Sequence, residues 1–214
     1  MQRFRNRTDA GETLAERVAA LGLADPVVLA LPRGGVPVAA PVAKKLNAPL
    51  DLILVRKIGA PGNPEFAAGA VADGPKPQVV WNDSVLNGLG IGEDDLQETY
   101  EHELETLKTR REIYLKGRAR VPLAGRDVVV VDDGIATGAT LRAALQAVSV
   151  QGPRQVVLAV PIAPQDAEPR FAQMVDRFVC LSTPAVFYAV GQGYDDFAQT
   201  SDAEVIACLD ANRN

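Results

Sequence analysis

Short apolar runs recur along this chain and alternate with segments of helical periodicity. The runs are bounded by glycine, proline or charged residues. Five of them predict buried core strands: PVVLAL (26–31), DLILVRKI (51–58), RDVVVVDD (126–133), RQVVLAVPI (154–162) and DRFVCLS (176–182). Strands that are apolar along their whole length are buried on both faces, which is typical of parallel sheets covered by helices on both sides. We therefore expect an open, mainly parallel α/β sheet of about five strands.

The composition suits a folded protein that does not depend on a polyanion. The 214 residues predict one domain over 1–214, and the apolar fraction of 47% is enough for a full core. The net charge of −5 argues against DNA or an anionic membrane as the main partner, although a small phosphorylated ligand needs only a few local cations. Two cysteines make no disulfide framework, and no signal-peptide or membrane-span pattern is recognised, so we expect a cytoplasmic protein.

Three further segments lie outside this strand–helix rhythm. Residues 92–118 lack proline and carry a narrow apolar stripe, which predicts a long helix inserted between core strands. Its His102, the only histidine, is expected to be a surface residue. Residues 59–69 contain three glycines and two prolines and predict a long loop, followed by short strands at AGAVAD and QVVWN. Residues 183–214 are expected to form a C-terminal hood.

The most informative stretch is VVVVDDGIATGAT, residues 128–140. The valines bury a strand, and Asp132 and Asp133 then emerge at its carboxyl end, where open α/β sheets bind ligands. Two carboxylates there can accept hydrogen bonds from a vicinal diol or hold a magnesium ion. The small residues from Gly134 onward lead into a helix N-terminus, which favours an approaching phosphate. Ribose carrying a 5′-phosphate has this spacing.

Other interpretations of this stretch stay open at this point. A valine run followed by Asp-Asp also occurs as a buried strand with an ordinary capped turn. The stretch contains no Gly-Lys-Ser/Thr of a Walker A loop and lacks the three glycines of a dinucleotide fingerprint. A phospho-acceptor receiver domain also has acidic residues at strand ends, but its acidic pair follows the first strand.

The combination resembles the phosphoribosyl pyrophosphate (PRPP) motif of type I phosphoribosyltransferases, without a gap from Val128 to Thr140. The resemblance implies that Asp132 and Asp133 hold the ribose hydroxyls and take part in binding Mg²⁺. It implies a 5′-phosphate cradle formed by Gly134, Ala136, Thr137, Gly138, Ala139 and Thr140.

Two upstream segments match the same family in kind and order. LPRGG (31–35) follows the first core strand, where the family binds pyrophosphate, so the resemblance assigns Arg33, Gly34 and Gly35 to that ligand. RKIGAPGNPEFAAGAV (56–71) occupies the place of the family's mobile lid. Arg56 and Lys57 would contact the leaving pyrophosphate, and Glu65 is a further candidate binding residue without an assigned role.

The segment FYAVGQGYDDF (187–197) is similar to the C-terminal region of 6-oxopurine phosphoribosyltransferases. There, Phe187 or Tyr188 would stack on the base, and Asp195 would approach the metal. Those enzymes carry a lysine at the end of the preceding strand to recognise the purine oxygen, whereas this chain has VLAVPIAPQD and no lysine. The base is therefore not identified.

These expectations add up to a Mg²⁺-dependent phosphoribosyltransferase acting on PRPP and a nitrogen acceptor, a nucleobase, as in purine salvage. A homodimer is expected, with neither DNA nor membrane as partner. The alternative is a PRPP- or nucleotide-sensing regulator on the same fold without turnover. Arg33, Arg56 and Lys57 favour the enzyme, because a sensor could lose the cations that face pyrophosphate.

Overall fold

The main sheet consists of five parallel strands with helices on both faces, as predicted. The structure is a computed structural model that describes residues 3–212, without the side chains of residues 64 and 65. In chain order, the elements are α1 (Arg7–Ala19), β1 (Pro26–Ala30), α2 (Gly35–Leu46), β2 (Leu50–Leu52), β3 (Val55–Ala60), β4 (Asn63–Ala72), β5 (Gln78–Trp81), α3 (Asp83–Leu89), α4 (Gln97–Leu115), β6 (Asp127–Val131), α5 (Ala139–Ser149), β7 (Gln155–Ile162), α6 (Ala167–Phe171), β8 (Arg177–Ser182) and α7 (Asp202–Ala211). The parallel strands lie in the order β2-β1-β6-β7-β8, with β6 at the centre.

The valine run explains why β6 is central. All four valines are completely buried, and they pair in register with β1 on one side and β7 on the other. Val129 and Val131 belong to the core beneath α1 and α2, whereas Val128 and Val130 belong to the core beneath α5. Alternate side chains of a strand point to opposite faces, so a strand covered by helices on both faces must be apolar at every position.

The predicted second strand, 51–58, is wrong as a single element. The chain leaves the parallel sheet after β2, and β3 begins a separate antiparallel sheet in the order β3-β4-β5. The break is stabilised by hydrogen bonds, because the Leu54 N–H donates to Asp73 Oδ1 at 2.8 Å and the Asp73 N–H donates to the Leu54 carbonyl. An apolar run gives no sign of such a change of partner strand.

The long loop expected at 59–69 is also wrong. These residues form the turn of a β-hairpin, in which Ala60 pairs with Asn63 across Pro61 and Gly62. Gly62 has φ of +73°, and proline followed by a left-handed glycine is the signature of a type II turn. The predicted strands at 68–73 and 78–82 are confirmed within β4 and β5. The side chain of Glu65 lies outside the described part of the structure.

The long helix predicted at 92–118 is confirmed as α4, preceded by one 3-10 turn at Asp94–Leu96. It packs on β3 and on α7 and buries Leu107, Tyr114 and Leu115. The antiparallel sheet lies between α4 and α5, since Ile58 belongs to the core shared with Leu107 and Val55 packs against the core that contains α5. The insertion between core strands is therefore larger than the sequence indicated, and it spans residues 55–115.

A buried ionic network joins this insertion to the parallel sheet. Arg111 of α4 donates to both carboxylate oxygens of Asp51, at 2.9 and 3.1 Å, and to Asp73 at 3.0 Å. Arg120 adds a second cation, 2.8 Å from Asp73. The two aspartates are each only 4% exposed, so the arginines supply the charge compensation that a buried carboxylate requires.

The N-terminal segment around Phe4 and the segment 193–195 meet over the carboxyl edge of the main sheet. The N–H of Phe4 donates to the Gly193 carbonyl, and the N–H of Asp195 donates to the Phe4 carbonyl. Phe4 and Tyr194 are buried together with Ile162. Among the described residues, no helix combines the length and the apolar character that crossing a membrane would need.

Candidate active site

Asp132 and Asp133 follow β6 directly, at the carboxyl edge of the sheet. The Asp133 N–H donates to Asp132 Oδ1 at 2.8 Å, which fixes the first carboxylate against the backbone. Burial raises the pKa of Asp132 well above its ordinary value, and the neighbouring Asp133 carboxylate raises it further. Burial also raises the pKa of Asp133, while Arg7 opposes that rise. The charged form of the pair is therefore disfavoured, and hydroxyl donors or a cation would stabilise it.

The small residues after the acid pair enclose a cavity of about 160 Å³. It is lined by Asp132, Gly134, Ile135, Ala136, Thr137, Gly138, Ala139, Thr140, Leu141 and Val190. Gly138 has φ of +77° and caps α5, so the first amides of that helix are directed toward the cavity end of the loop. A helix N-terminus with exposed amides is an anion site. The residues predicted as a phosphate cradle are thus brought together.

Arg170 supports this loop from α6, a contact that sequence reasoning missed. Its guanidinium donates to the Thr137 carbonyl and lies 6.0 Å from the ring centroid of Phe171. A β-carbon on Gly138 would stand 2.7 Å from the same ring, which leaves no room for a side chain. Nothing in the local sequence around Arg170 connects it to a loop 33 residues earlier.

The LPRGG loop lies against the acid pair. A β-carbon on Gly34 would stand 2.0 Å from Asp133 Oδ2, and one on Gly35 would stand 2.8 Å from the Val131 carbonyl. Both glycines are therefore needed for the close approach of the two segments. Arg33 in the same loop is 3.6 Å from Asp202 of α7, and its side chain is 34% exposed.

Arg7 is the principal site residue that sequence reasoning missed. It is the first residue of α1, and its Nε donates to Asp133 Oδ2 at 2.8 Å. A second guanidinium nitrogen donates to the Ala198 carbonyl at 2.7 Å, and the guanidinium carbon is 3.9 Å from the ring centroid of Phe197. The hydroxyl of Tyr194 donates to the Asp133 carbonyl at 2.6 Å. Arg7 thus binds the carboxylate of Asp133, and Tyr194 binds its backbone carbonyl.

Arg56 and Lys57 lie on β3, at the edge of a groove between the hairpin and α4. This groove has a volume of about 560 Å³ and is also lined by Thr99 and Glu103. Arg56 Nε donates to Glu103 Oε2 at 2.6 Å, and Lys57 is exposed. The pair with Glu103 connects Arg56 of β3 to α4.

The candidate residues of the C-terminal segment, Phe187, Tyr188 and Asp195, differ in their surroundings. Phe187 packs against the cluster that contains Phe4 and Tyr194, whereas Tyr188 is 87% exposed. Asp195 is 3.1 Å from Arg3, and both side chains are more than half exposed. The assignments of Tyr188 and Phe187 to base stacking and of Asp195 to a metal remain predictions.

The acid pair has the chemistry of a partial magnesium site. Within residues 3–212, no group of three or more His, Cys, Asp or Glu side chains is arranged to hold a metal ion. Mg²⁺ is commonly bound by one or two protein carboxylates, with substrate oxygens and water as the other ligands. Asp132 and Asp133 can supply that share, and a cation there would oppose the burial and the repulsion from Asp133 that raise the pKa of Asp132.

A parallel sheet with an acid pair and a glycine-rich helix N-terminus at its carboxyl edge defines a class of open α/β domain that binds ligands at that edge. The chain belongs to the family described as phosphoribosyl transferase domain, whose sequence pattern matches residues 5–193. This membership confirms the resemblance to phosphoribosyltransferases that the PRPP-type motif indicated.

Individual relatives agree with the family. Rv0571c of Mycobacterium tuberculosis H37Rv, whose name assigns it provisionally to the phosphoribosyl transferases, is 52% identical over 211 residues. The alignment covers 98% of this chain but 47% of that protein, so the chain spans about half the length of this curated relative. The crystal structure of TT1426 from Thermus thermophilus matches with 47% identity and a TM-score of 0.83, covering 97% of this chain and 98% of the other. The structure of AQ2163 from Aquifex aeolicus, at 12% identity and a TM-score of 0.50, covers 95% of this chain and 86% of its own and shares the fold.

Proposed function

We propose that this domain transfers the 5-phosphoribosyl group of PRPP to a nitrogen acceptor and releases pyrophosphate. The observation that carries the proposal is that Asp132 and the cradle formed by residues 134–140 line the same cavity. One cavity then offers an acceptor for ribose hydroxyls and, a few residues on, an anion site for the 5′-phosphate. The LPRGG loop packs against this pair and would present backbone amides and Arg33 to the pyrophosphate.

The chemistry asks little of the protein beyond positioning. Attack by a ring nitrogen on the anomeric carbon breaks the bond to pyrophosphate, and the transition state carries positive charge on the ribose and growing negative charge on the leaving group. Arg33 and Lys57 would stabilise that leaving charge, and the buried acid pair would hold the ribose. A bound Mg²⁺ would neutralise pyrophosphate oxygens, and Asp132 and Asp133 are the residues that would hold it.

The acceptor in this proposal is a nucleobase. Tyr188 is an exposed aromatic side chain in the segment that resembles the base-binding region, and it is available for stacking. The missing lysine after β7 argues for a base contact different from that of 6-oxopurine enzymes. Purines are therefore the first bases to test, and the acceptor is not restricted to them. The proposal further includes a cytoplasmic location and a homodimeric state. Sedimentation of the purified chain would test the homodimer.

A PRPP sensor without turnover is the second candidate, and one observation favours it. Arg33 and Arg56, two of the three cations assigned to pyrophosphate, are close to the carboxylates of Asp202 and Glu103. An enzyme must exchange these partners for pyrophosphate in each cycle, whereas a sensor need not.

The decisive experiment measures pyrophosphate release from PRPP and Mg²⁺ in the presence of each common nucleobase, alongside PRPP binding by calorimetry. Asp132→Asn serves as the site variant and should lose PRPP affinity without unfolding. Release with one base, abolished in this variant, supports the enzyme. PRPP binding with no release for any base supports the sensor, and absence of PRPP binding refutes both.

A further inference from the structure

The two carboxylates of the acid pair have different surroundings. Asp132 lines the cavity with the cradle residues, whereas Asp133 is not among the residues that line it. Asp133 instead contacts Arg7, and the side chains of this ion pair are only 12% and 16% exposed. The carbonyl of Asp133 is bound by the Tyr194 hydroxyl at 2.6 Å. The side chain of Asp133 is therefore bound by Arg7, and its backbone carbonyl is bound by Tyr194.

Arg7 is itself fixed by three contacts. Its Nε donates to Asp133, its Nη1 donates to the Ala198 carbonyl, and its guanidinium group lies over the Phe197 ring. Only a planar guanidinium can satisfy all three at once, because an ammonium group is a point charge without a stacking face. The arginine thus links the start of α1, the C-terminal segment and the carboxyl end of β6.

We propose that Arg7 is a positioning residue of the ribose-phosphate site, which holds Asp133 in place while Asp132 is the carboxylate that contacts the ribose hydroxyls. This inference rests on the proposed binding of PRPP and deepens it, because it divides two roles that the sequence motif assigns equally. Asp133 lies against the LPRGG loop at Gly34, so Arg7 acts on the ligand by holding Asp133 in this position.

The division of roles predicts which substitutions depend on each other. Substitutions of residues that act as one unit are non-additive, whereas those at independent positions add. Arg7→Met should therefore lower PRPP affinity about tenfold, and Asp133→Asn should add less than about threefold to that loss. Asp132→Asn should cost the same factor whether or not Arg7 is present.

The test is calorimetric titration of PRPP with MgCl₂ into the parent and into R7M, R7K, D132N, D133N, R7M/D132N and R7M/D133N. Arg5→Met is the matched control, because it removes an exposed arginine–aspartate pair two residues away, with Arg5 78% exposed. R5M should bind PRPP within about twofold of the parent, since exposed ion pairs contribute little. R7K should recover part of the loss, because it restores the charge but neither the second hydrogen bond nor the stacking.

Each result separates this inference from the proposed function. If the parent chain binds no PRPP, the proposed function and this inference fall together. If the parent binds and R7M binds equally well, or the losses of R7M and D133N simply multiply, only the inference falls. Circular dichroism establishes that each variant is folded; if R7M is not, R7K and R7K/D133N decide the question in the same way. Equal losses in R7M and R5M would also overturn it.

Discussion

Gly34 and Asp133 approach each other so closely that a β-carbon on the glycine would stand 2.0 Å from Oδ2 of the aspartate and 3.2 Å from Arg7 Nε. The two segments lie about a hundred residues apart in sequence. Their contact means that the loop assigned to pyrophosphate and the acid pair assigned to ribose form one packed unit.

Gly34→Ala should therefore disrupt the site without unfolding the sheet. The added methyl group must displace the Asp133 carboxylate or the loop, so PRPP affinity should fall at least tenfold, which corresponds to about 1.4 kcal/mol. Gly88→Ala in α3 is the control, because a β-carbon there meets nothing within 4 Å and glycine is unfavourable within a helix. Calorimetry with PRPP and chemical unfolding of both variants check this. Unchanged affinity in G34A would mean that the loop adapts freely.

Arg170→Met should weaken the grip on the 5′-phosphate. The guanidinium supports the Thr137 carbonyl and adds positive charge beside the cradle, although it is partly exposed. A charge-assisted hydrogen bond contributes about 1.5–3 kcal/mol when buried, so a loss of about three- to tenfold is expected here. Ribose 5-phosphate, which has no pyrophosphate, should lose the same factor as PRPP. Arg177→Met, at the exposed start of β8, should leave both affinities unchanged.

Lys57→Ala separates turnover from binding. Charge builds on pyrophosphate as the anomeric bond breaks, so a cation near it stabilises the transition state more than the ground state. Turnover should fall roughly ten- to a hundredfold, and PRPP affinity should fall less. Lys108→Ala, in an exposed pair with Glu105 on α4, is the matched control. Equal losses of turnover and affinity would place Lys57 in ground-state binding alone.

The sequence predicted the parallel sheet well, because burial on both faces leaves a direct mark in apolar runs. It also predicted the acid pair and the cradle, which are contiguous in sequence. Arg7 and Arg170 were missed because their partners are 126 and 33 residues away in sequence. The residues next to a helical arginine do not indicate such a distant contact. The hairpin was mistaken for a loop because Pro61 and Gly62, which form its tight turn, are also the residues typical of irregular segments.

The buried ionic network predicts a large stability effect. Arg111→Met leaves the carboxylate of Asp51 without its arginine and that of Asp73 with Arg120 alone, and breaking a buried pair costs about 3–5 kcal/mol. Lys108→Met, one turn earlier on the same helix, removes an exposed pair and should cost less than about 1 kcal/mol. Urea unfolding of the two variants measures the difference. A loss of similar size in both variants would contradict the role of Arg111 as the cation that compensates Asp51.

Tyr114 predicts a loss of stability at alkaline pH. Its hydroxyl donates to Asp202 Oδ1 at 2.7 Å, and burial, followed by that hydrogen bond and the charge of Asp202, raises the pKa of Tyr114 to about 12. The folded state therefore retains the proton between pH 10, the ordinary value, and about 12, where the unfolded chain releases it. Stability from this group is fully present below pH 10 and is lost as the pH rises through that window.

Tyr114→Phe tests this assignment directly. The variant should be less stable than the parent by about 1 kcal/mol at pH 8, because it lacks one hydrogen bond and leaves Asp202 with Arg33 as its remaining partner. The difference between parent and variant should shrink from pH 10 upward, since only the parent loses the contribution of Tyr114. Tyr194, whose pKa burial also raises, is present in both proteins and cancels in the comparison. Urea unfolding of both proteins from pH 8 to pH 11 measures the difference, with Tyr100→Phe on the same helix as control. A difference that stays constant from pH 8 to pH 11 would mean that folding does not raise the pKa of Tyr114.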